Sequence, residues 1–190
     1  MRFRRHRMLS FFLVFTTLFT IFWLFPSIHA AGSTEIVLKG QVIYTQFSFF
    51  HEKGRYLTTN YRKGILIPVN TAVKFVKMTD RRIFVTLPDG LELSVENVAE
   101  FSGENIKGIF KRTFSKEPVD LWLFTESEQE AIMSGSVKIG MRKSAVLIAL
   151  GYPPKHKTPS LESNQWRYWQ SRYNTFLVVF ENDMVKEIIN

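Results

Sequence analysis

The chain has 190 residues, 25 Lys and Arg against 17 Asp and Glu, and a formal charge of +8. It contains no Cys, which excludes disulfides, iron–sulfur clusters, thiolate zinc sites, thiol catalysis and a Cys-linked lipid anchor. A content of 45% hydrophobic and 22% charged residues excludes a disordered chain and suits one ordinary domain or two small ones.

The first thirty residues read as an export address. Met1–Arg7 holds four arginines and no acid, and Met8–Phe25 then runs eighteen residues without a charge. Pro26 breaks the run, and Ser27-Ile28-His29-Ala30-Ala31 supplies small residues. A basic start, an apolar stretch and a small-residue exit predict a signal peptide over 1–30, cleaved after Ala30, with Ala31 as the alternative position. Residues 8–25 also reach the lower limit of a spanning helix, so an inner-membrane anchor is the alternative. Either way the remaining chain is expected in the periplasm or cell envelope. Without residues 1–30 the charge falls from +8 to +4, and export removes nucleic acid from the partners that a basic chain invites.

Period-2 segments then predict a β domain over 31–104. Ile36-Val37-Leu38 and Gln41–Phe47 read as strands, the latter with apolar residues on both faces. Phe47–Gly54 reads as a loop and Tyr56–Tyr61 as an extended run. Ile83–Leu87 and Leu91–Val95 flank Pro88-Asp89-Gly90, a hairpin signal. Residues 105–125 form a joint in which Ile106–Phe110 is read as an added strand. Its apolar cluster Leu121-Trp122-Leu123-Phe124 marks it as a packed linker rather than a free one.

Over 126–190 the order reads α-α-β-β-β. Thr125 and Glu128 have the spacing of a capping box, and Gly135 is placed to end the first helix. The second helix covers Arg142–Leu150, with Val146, Ala149 and Leu150 on one face. Gly151 is expected to cap it in a left-handed conformation, and Pro153-Pro154 prevents its continuation. Strands follow at Gln165–Gln170, Asn174–Glu181 and Met184–Ile189. Trp166 and Tyr168 point to one face and Arg167 to the other.

Tyr56–Val98, with its Pro-led strand, tight turn and hairpin, resembles a bacterial SH3-like barrel. That resemblance implies peptide or cell-wall binding on aromatic residues, for which Phe49, Phe50, Tyr56 and Tyr61 are candidates. The simpler reading is that these rings fill the core. Ile139-Gly140-Met141, Val146, Leu150-Gly151-x-Pro153, Trp166-x-Tyr168, Phe176-x-Val178-x-Phe180 and Val185-x-x-Ile188 together resemble the BamE (SmpA/OmlA) family over 132–190. Gly140, Val146, Gly151, Pro153, Trp166, Tyr168 and Phe180 are thereby read as fold-specifying. The resemblance implies a non-catalytic envelope protein that binds other proteins, with outer-membrane protein assembly as one setting. The fold is also similar to that of proteinaceous β-lactamase inhibitors. Arg142 stands where the family often places a small hydroxyl cap, and the family's lipid-bearing Cys is missing. The expected fold class is α+β: a small SH3-like β-barrel followed by an α-α-β-β-β two-layer domain.

His51 and His156 lack the short-spaced partners of a metal site, and no hydrolase or nucleotide-binding motif occurs. No enzyme activity and no cofactor are therefore expected. Between Gly135 and Arg172 seven basic residues face only Glu162. Arg142, Lys143, Tyr152, Lys155, Lys157, Arg167, Trp169 and Arg172 are the candidate docking residues, for an acidic partner or anionic lipid headgroups. The competing reading is a solvated face that keeps the domain soluble. Peptidoglycan, bound through the β domain, is the alternative partner.

Overall fold

The computed structural model describes residues 37–190. The expected signal peptide, its cleavage position and the alternative anchor over 8–25 lie outside the described residues. Among the described residues no helix is long and apolar enough to cross a membrane.

Alternating segments build a curled half-barrel sheet in a mixed α/β chain with few helices. The strands are β1 (Val42–Thr45), β2 (Phe49–His51), β3 (Arg55–Leu57), β4 (Ile65–Ile67), β5 (Ala72–Met78), β6 (Arg82–Thr86) and β7 (Glu92–Glu96). Two short helices, α1 (Ala99–Ser102) and α2 (Ile106–Thr113), precede β8 (Phe114–Ser115). The six-stranded sheet runs β3-β7-β6-β5-β1-β8, with β3 parallel to β7 and the other pairs antiparallel. β2 and β4 form a separate antiparallel pair. The hairpin expected at Pro88-Asp89-Gly90 joins β6 to β7, and Gly90 takes φ +88° there, a conformation that costs a side chain steric strain.

Five sequence expectations change here. The extended run expected over Tyr56–Tyr61 ends at Leu57, because Thr58-Thr59 turn and Asn60 takes φ +56°. Val37 and Leu38 lie in no strand, because the Gln41 side chain and backbone close a turn back onto Leu38. In the 42–47 run only one face is buried, by Ile43, Thr45 and Phe47, while Val42 is exposed. The segment read as a loop contains β2, whose Phe49 pairs with Ile67. Ile106–Phe110 is helical: Ile106, Ile109 and Thr113 form its buried side, and the Asn105 side chain accepts from the Gly108 N–H at 2.9 Å. That spacing is the helical i, i+3, i+7 pattern.

The second half contains α3 (Glu126–Met133), α4 (Lys143–Leu150), β9 (Gln165–Trp169), β10 (Thr175–Glu181) and β11 (Met184–Ile189). The three strands form an antiparallel sheet in the order β11-β10-β9. The capping box is present at Thr125 and Glu128. Gly135, at φ +60°, closes α3: its N–H donates to Ile132 O, and Ser136 N–H donates to Ala131 O. Val146, Leu150, Trp166, Tyr168, Val178 and Phe180 are all buried in one cluster between the helices and the sheet. Rings of the size of Trp166 and Tyr168 contribute about 2–3 kcal/mol each on burial.

Ile36–Asn190 is one compact unit with two hydrophobic clusters. The first cluster runs past residue 104, because Ile106, Ile109 and Phe114 complete it. Side chains of the first half satisfy helix-end carbonyls of the second. Ser48 Oγ–H donates to Ile132 O at 2.8 Å, Asn60 Nδ2 donates to Leu150 O at 2.7 Å and to Tyr152 O at 3.1 Å, and Arg62 donates to Gly135 O. Tyr61 also bridges to Trp169 on the edge of β9. Helix C-termini leave carbonyls unpaired, so the first half supplies donors that the helices of the second lack.

Candidate docking surface

The basic run divides when the chain folds. Arg142 extends over Glu128: its Nη2 donates to Oε2 at 2.6 Å and its Nε to Oε1 at 3.0 Å. Its backbone N–H also donates to Glu128 Oε1, at 2.9 Å. These hydrogen bonds from Arg142 hold the buried Glu128 carboxyl down at about 2. Lys143 pairs with Asp183 at 2.9 Å, and Lys138 pairs with Glu130 at 3.0 Å. Arg142 and Lys143 line a groove of about 520 Å³ with Glu162 and Asp183, so acids already neutralise that side.

Tyr152 and Lys155 belong to a second groove, of about 450 Å³, between the α1–α2 corner and the loop 152–161. The loop is held in shape. Pro153 and Pro154 are buried, Lys155 N–H donates to Phe101 O at 2.7 Å, and His156 packs between Phe101 and Trp169 at 4.7 and 5.3 Å. Gly151 opens the loop with φ +72° and ψ −168°. Its φ is positive as expected, but ψ places it outside the left-handed helical region, so the chain leaves α4 extended. The Phe47 ring stands 2.6 Å from where a Cβ would lie. Gly151 O also accepts the buried Tyr168 hydroxyl at 3.0 Å.

The remaining candidates scatter. Lys157 is exposed on the loop. Arg167 lies on the outer face of β9, its Nη1 donating to Thr175 Oγ1 at 3.1 Å. Trp169 is half-buried beside His156. Arg172 covers the ring of the exposed Tyr173 at 5.7 Å. Of the aromatic candidates in the β domain, Phe49 and Tyr56 are core residues with ring centroids 4.4 Å apart. Phe50 lies under Arg62 at 5.0 Å. The hollow lined by Phe50, Tyr56 and Tyr61 holds about 40 Å³, room for about one water molecule. Among the described residues no three His, Cys, Asp or Glu side chains are grouped to hold a metal ion.

One feature escaped the sequence reading. Arg112 lines the second groove with Lys111; the helical spacing of Ile106, Ile109 and Thr113 was the signal that would have placed both on a helix face. The cluster Leu121-Trp122-Leu123-Phe124, expected to pack, does so only in part: on the turn Leu121–Leu123, Trp122 is 90% exposed and Leu123 69% exposed. Its backbone is pinned throughout. Asn70 donates to Val119 O at 2.9 Å and accepts from Val119 N–H at 2.7 Å. Asp120 Oδ1 accepts from Trp122 N–H at 3.0 Å, and Arg142 donates to Leu123 O at 2.9 Å. Val119, Leu121 and Phe124 pack inward on the second cluster.

Comparison of the chain with family models, curated proteins and solved structures finds no match.

Proposed function

We propose that this chain is a non-catalytic binding protein of the bacterial cell envelope that docks other proteins. The observation that carries the reading is the Trp122–Leu123 turn. An indole and an isobutyl group face solvent from a backbone tied at both ends. Exposed Trp is disfavoured unless a partner covers it, and Trp leads the residues that dominate protein interfaces. A turn already held in shape loses little entropy on docking.

The α-α-β-β-β order and its buried aromatic strands support the resemblance to the BamE family, and with it an envelope role near outer-membrane protein assembly. The half-barrel sheet is read as an SH3-like scaffold that carries the joint. The signal segment places the protein in the periplasm after cleavage, and the first residue of the exported chain is then Ala31.

Photo-crosslinking in intact bacteria tests the reading. A photoreactive phenylalanine at position 122 should give a discrete protein adduct, and one at the exposed Lys39 should not. Labelling at both positions alike, or at neither, would remove the docking role from the turn. N-terminal sequencing of the exported chain checks its address, since a start at Met1 is incompatible with cleavage.

A further inference from the structure

The groove between the α1–α2 corner and the loop 152–161 contains a guanidinium that makes no direct ion pair among the described residues, with Glu104 as the one acid in the lining. Gly108, Lys111 and Arg112 share one face of α2 at the i, i+3, i+4 spacing, and all three line the groove. Arg112 stacks its guanidinium on the Tyr152 ring at 4.6 Å. Its Nε is buried with no acceptor, and no carboxylate among the described residues forms an ion pair with it. A cation taken this far from water is ordinarily paired, and burial accordingly lowers its pKa despite nearby Tyr56, Tyr152 and Glu104. Three cations, Lys111, Arg112 and Lys155, line the groove against one acid, Glu104.

We propose that this groove binds an acidic peptide segment, with one carboxylate on Arg112 and Lys111 and Lys155 flanking it. Guanidinium and carboxylate match as a planar fork. The size fits a few residues of extended chain, and Tyr152, Pro153, Pro159 and Leu161 provide an apolar wall beside the charges. Phosphate sites usually add a cluster of backbone N–H donors. Here the Gly108 N–H at the start of α2 is already taken by Asn105. The site is preformed, because the prolines and the Lys155–Phe101 hydrogen bond fix one wall and the Thr58–Asn97–Ser102 hydrogen bonds fix the other.

The proposal rests on the docking reading, and its test is separate from that reading. The chain from Ala31, which contains the whole compact unit, is titrated with acetyl-tetraglutamate amide while the Arg112 Nε–H signal is followed by NMR. The peptide should shift that signal saturably, more weakly as salt rises, and acetyl-tetraglutamine amide should not. Arg112→Gln should weaken binding at least about tenfold. The pair Lys111→Ala and Lys155→Ala, both exposed, should do the same with an unchanged melting temperature, which keeps the test decisive if Arg112→Gln fails to fold. An absent shift, or equal affinity in the lysine variant, would overturn the proposal. So would saturation by inorganic phosphate alone, or Arg112-dependent sedimentation with anionic vesicles in place of peptide binding. If the peptide fails while the position-122 crosslink persists, the groove assignment falls and the docking reading stands.

Discussion

Glu128 and Arg142, fourteen residues apart, join the starts of two helices through one carboxylate. Glu128 closes the capping box of α3 by accepting from Thr125 N–H at 3.0 Å, and with its other oxygen it accepts the Arg142 backbone N–H at the start of α4. Arg142 has no side-chain cap of its own, so the carboxylate of α3 replaces the hydroxyl that the position lacks. Glu128→Gln removes the charge from all of these contacts and should cost about 2 kcal/mol.

The same carboxylate dictates an acid limb. Its pKa falls from an ordinary 4.5 to about 2 in the fold. A depressed carboxyl stabilises fully above the unfolded value and loses that contribution as pH falls through the folded one. Melting temperature should therefore drop between about pH 4.5 and 2 in a Glu128-dependent way. A Glu128→Gln variant with an unchanged acid limb would refute the linkage.

His51 adds a second step at higher pH. It is buried, and its Nδ1 accepts the Gly54 N–H at 3.1 Å, so the fold needs the neutral ring. Burial lowers its pKa below 6.5, against a smaller upward pull from Asp89. The unfolded chain then binds the proton first, and stability is complete above about pH 6.5 and declines below it. Imidazole NMR titration gives the check, because a midpoint at or above 6.5 contradicts the burial argument.

Gly151→Ala should be among the most damaging substitutions. The added methyl meets the Phe47 ring, and its backbone sits at a positive φ with an extended ψ, a region nearly restricted to Gly. Strain and overpacking together predict a loss of about 3 kcal/mol, read as a lower denaturation midpoint. A loss under about 1 kcal/mol would mean that Phe47 moves aside without cost.

Asn60→Ala tests whether the two halves depend on each other. It removes the donor to Leu150 O and Tyr152 O and leaves Ala at φ +56°. A loss of about 2–3 kcal/mol is expected from an unpaired buried carbonyl and left-handed strain. Residues 126–190 alone should show no cooperative thermal unfolding by circular dichroism. A sharp transition there would show that the caps from the first half are dispensable.

Much of the local structure was legible because it depends on near neighbours. Thr125 and Glu128 are three residues apart, and alternation alone put Trp166 and Tyr168 on the buried face. Ile106–Phe110 misled because five residues of mixed apolar character suit a strand as well as a helix. Thr113, whose spacing distinguishes the two, lies outside those five residues. The candidate surface was only half legible. Arg142, Lys143, Tyr152 and Lys155 stand together in the basic run, but charge counting along the chain treats every cation as free.

By itself the sequence determines the caps, the hairpin turn and the α-α-β-β-β order, since these follow from contacts within a few residues. Only the tertiary structure decides which cations are ion-paired within the chain. Arg142 is neutralised by Glu128 and Lys143 by Asp183, while Arg112, in a segment read as a linker, is left facing an open groove. Ion pairing is set by distance in space, and folding brings those distances about.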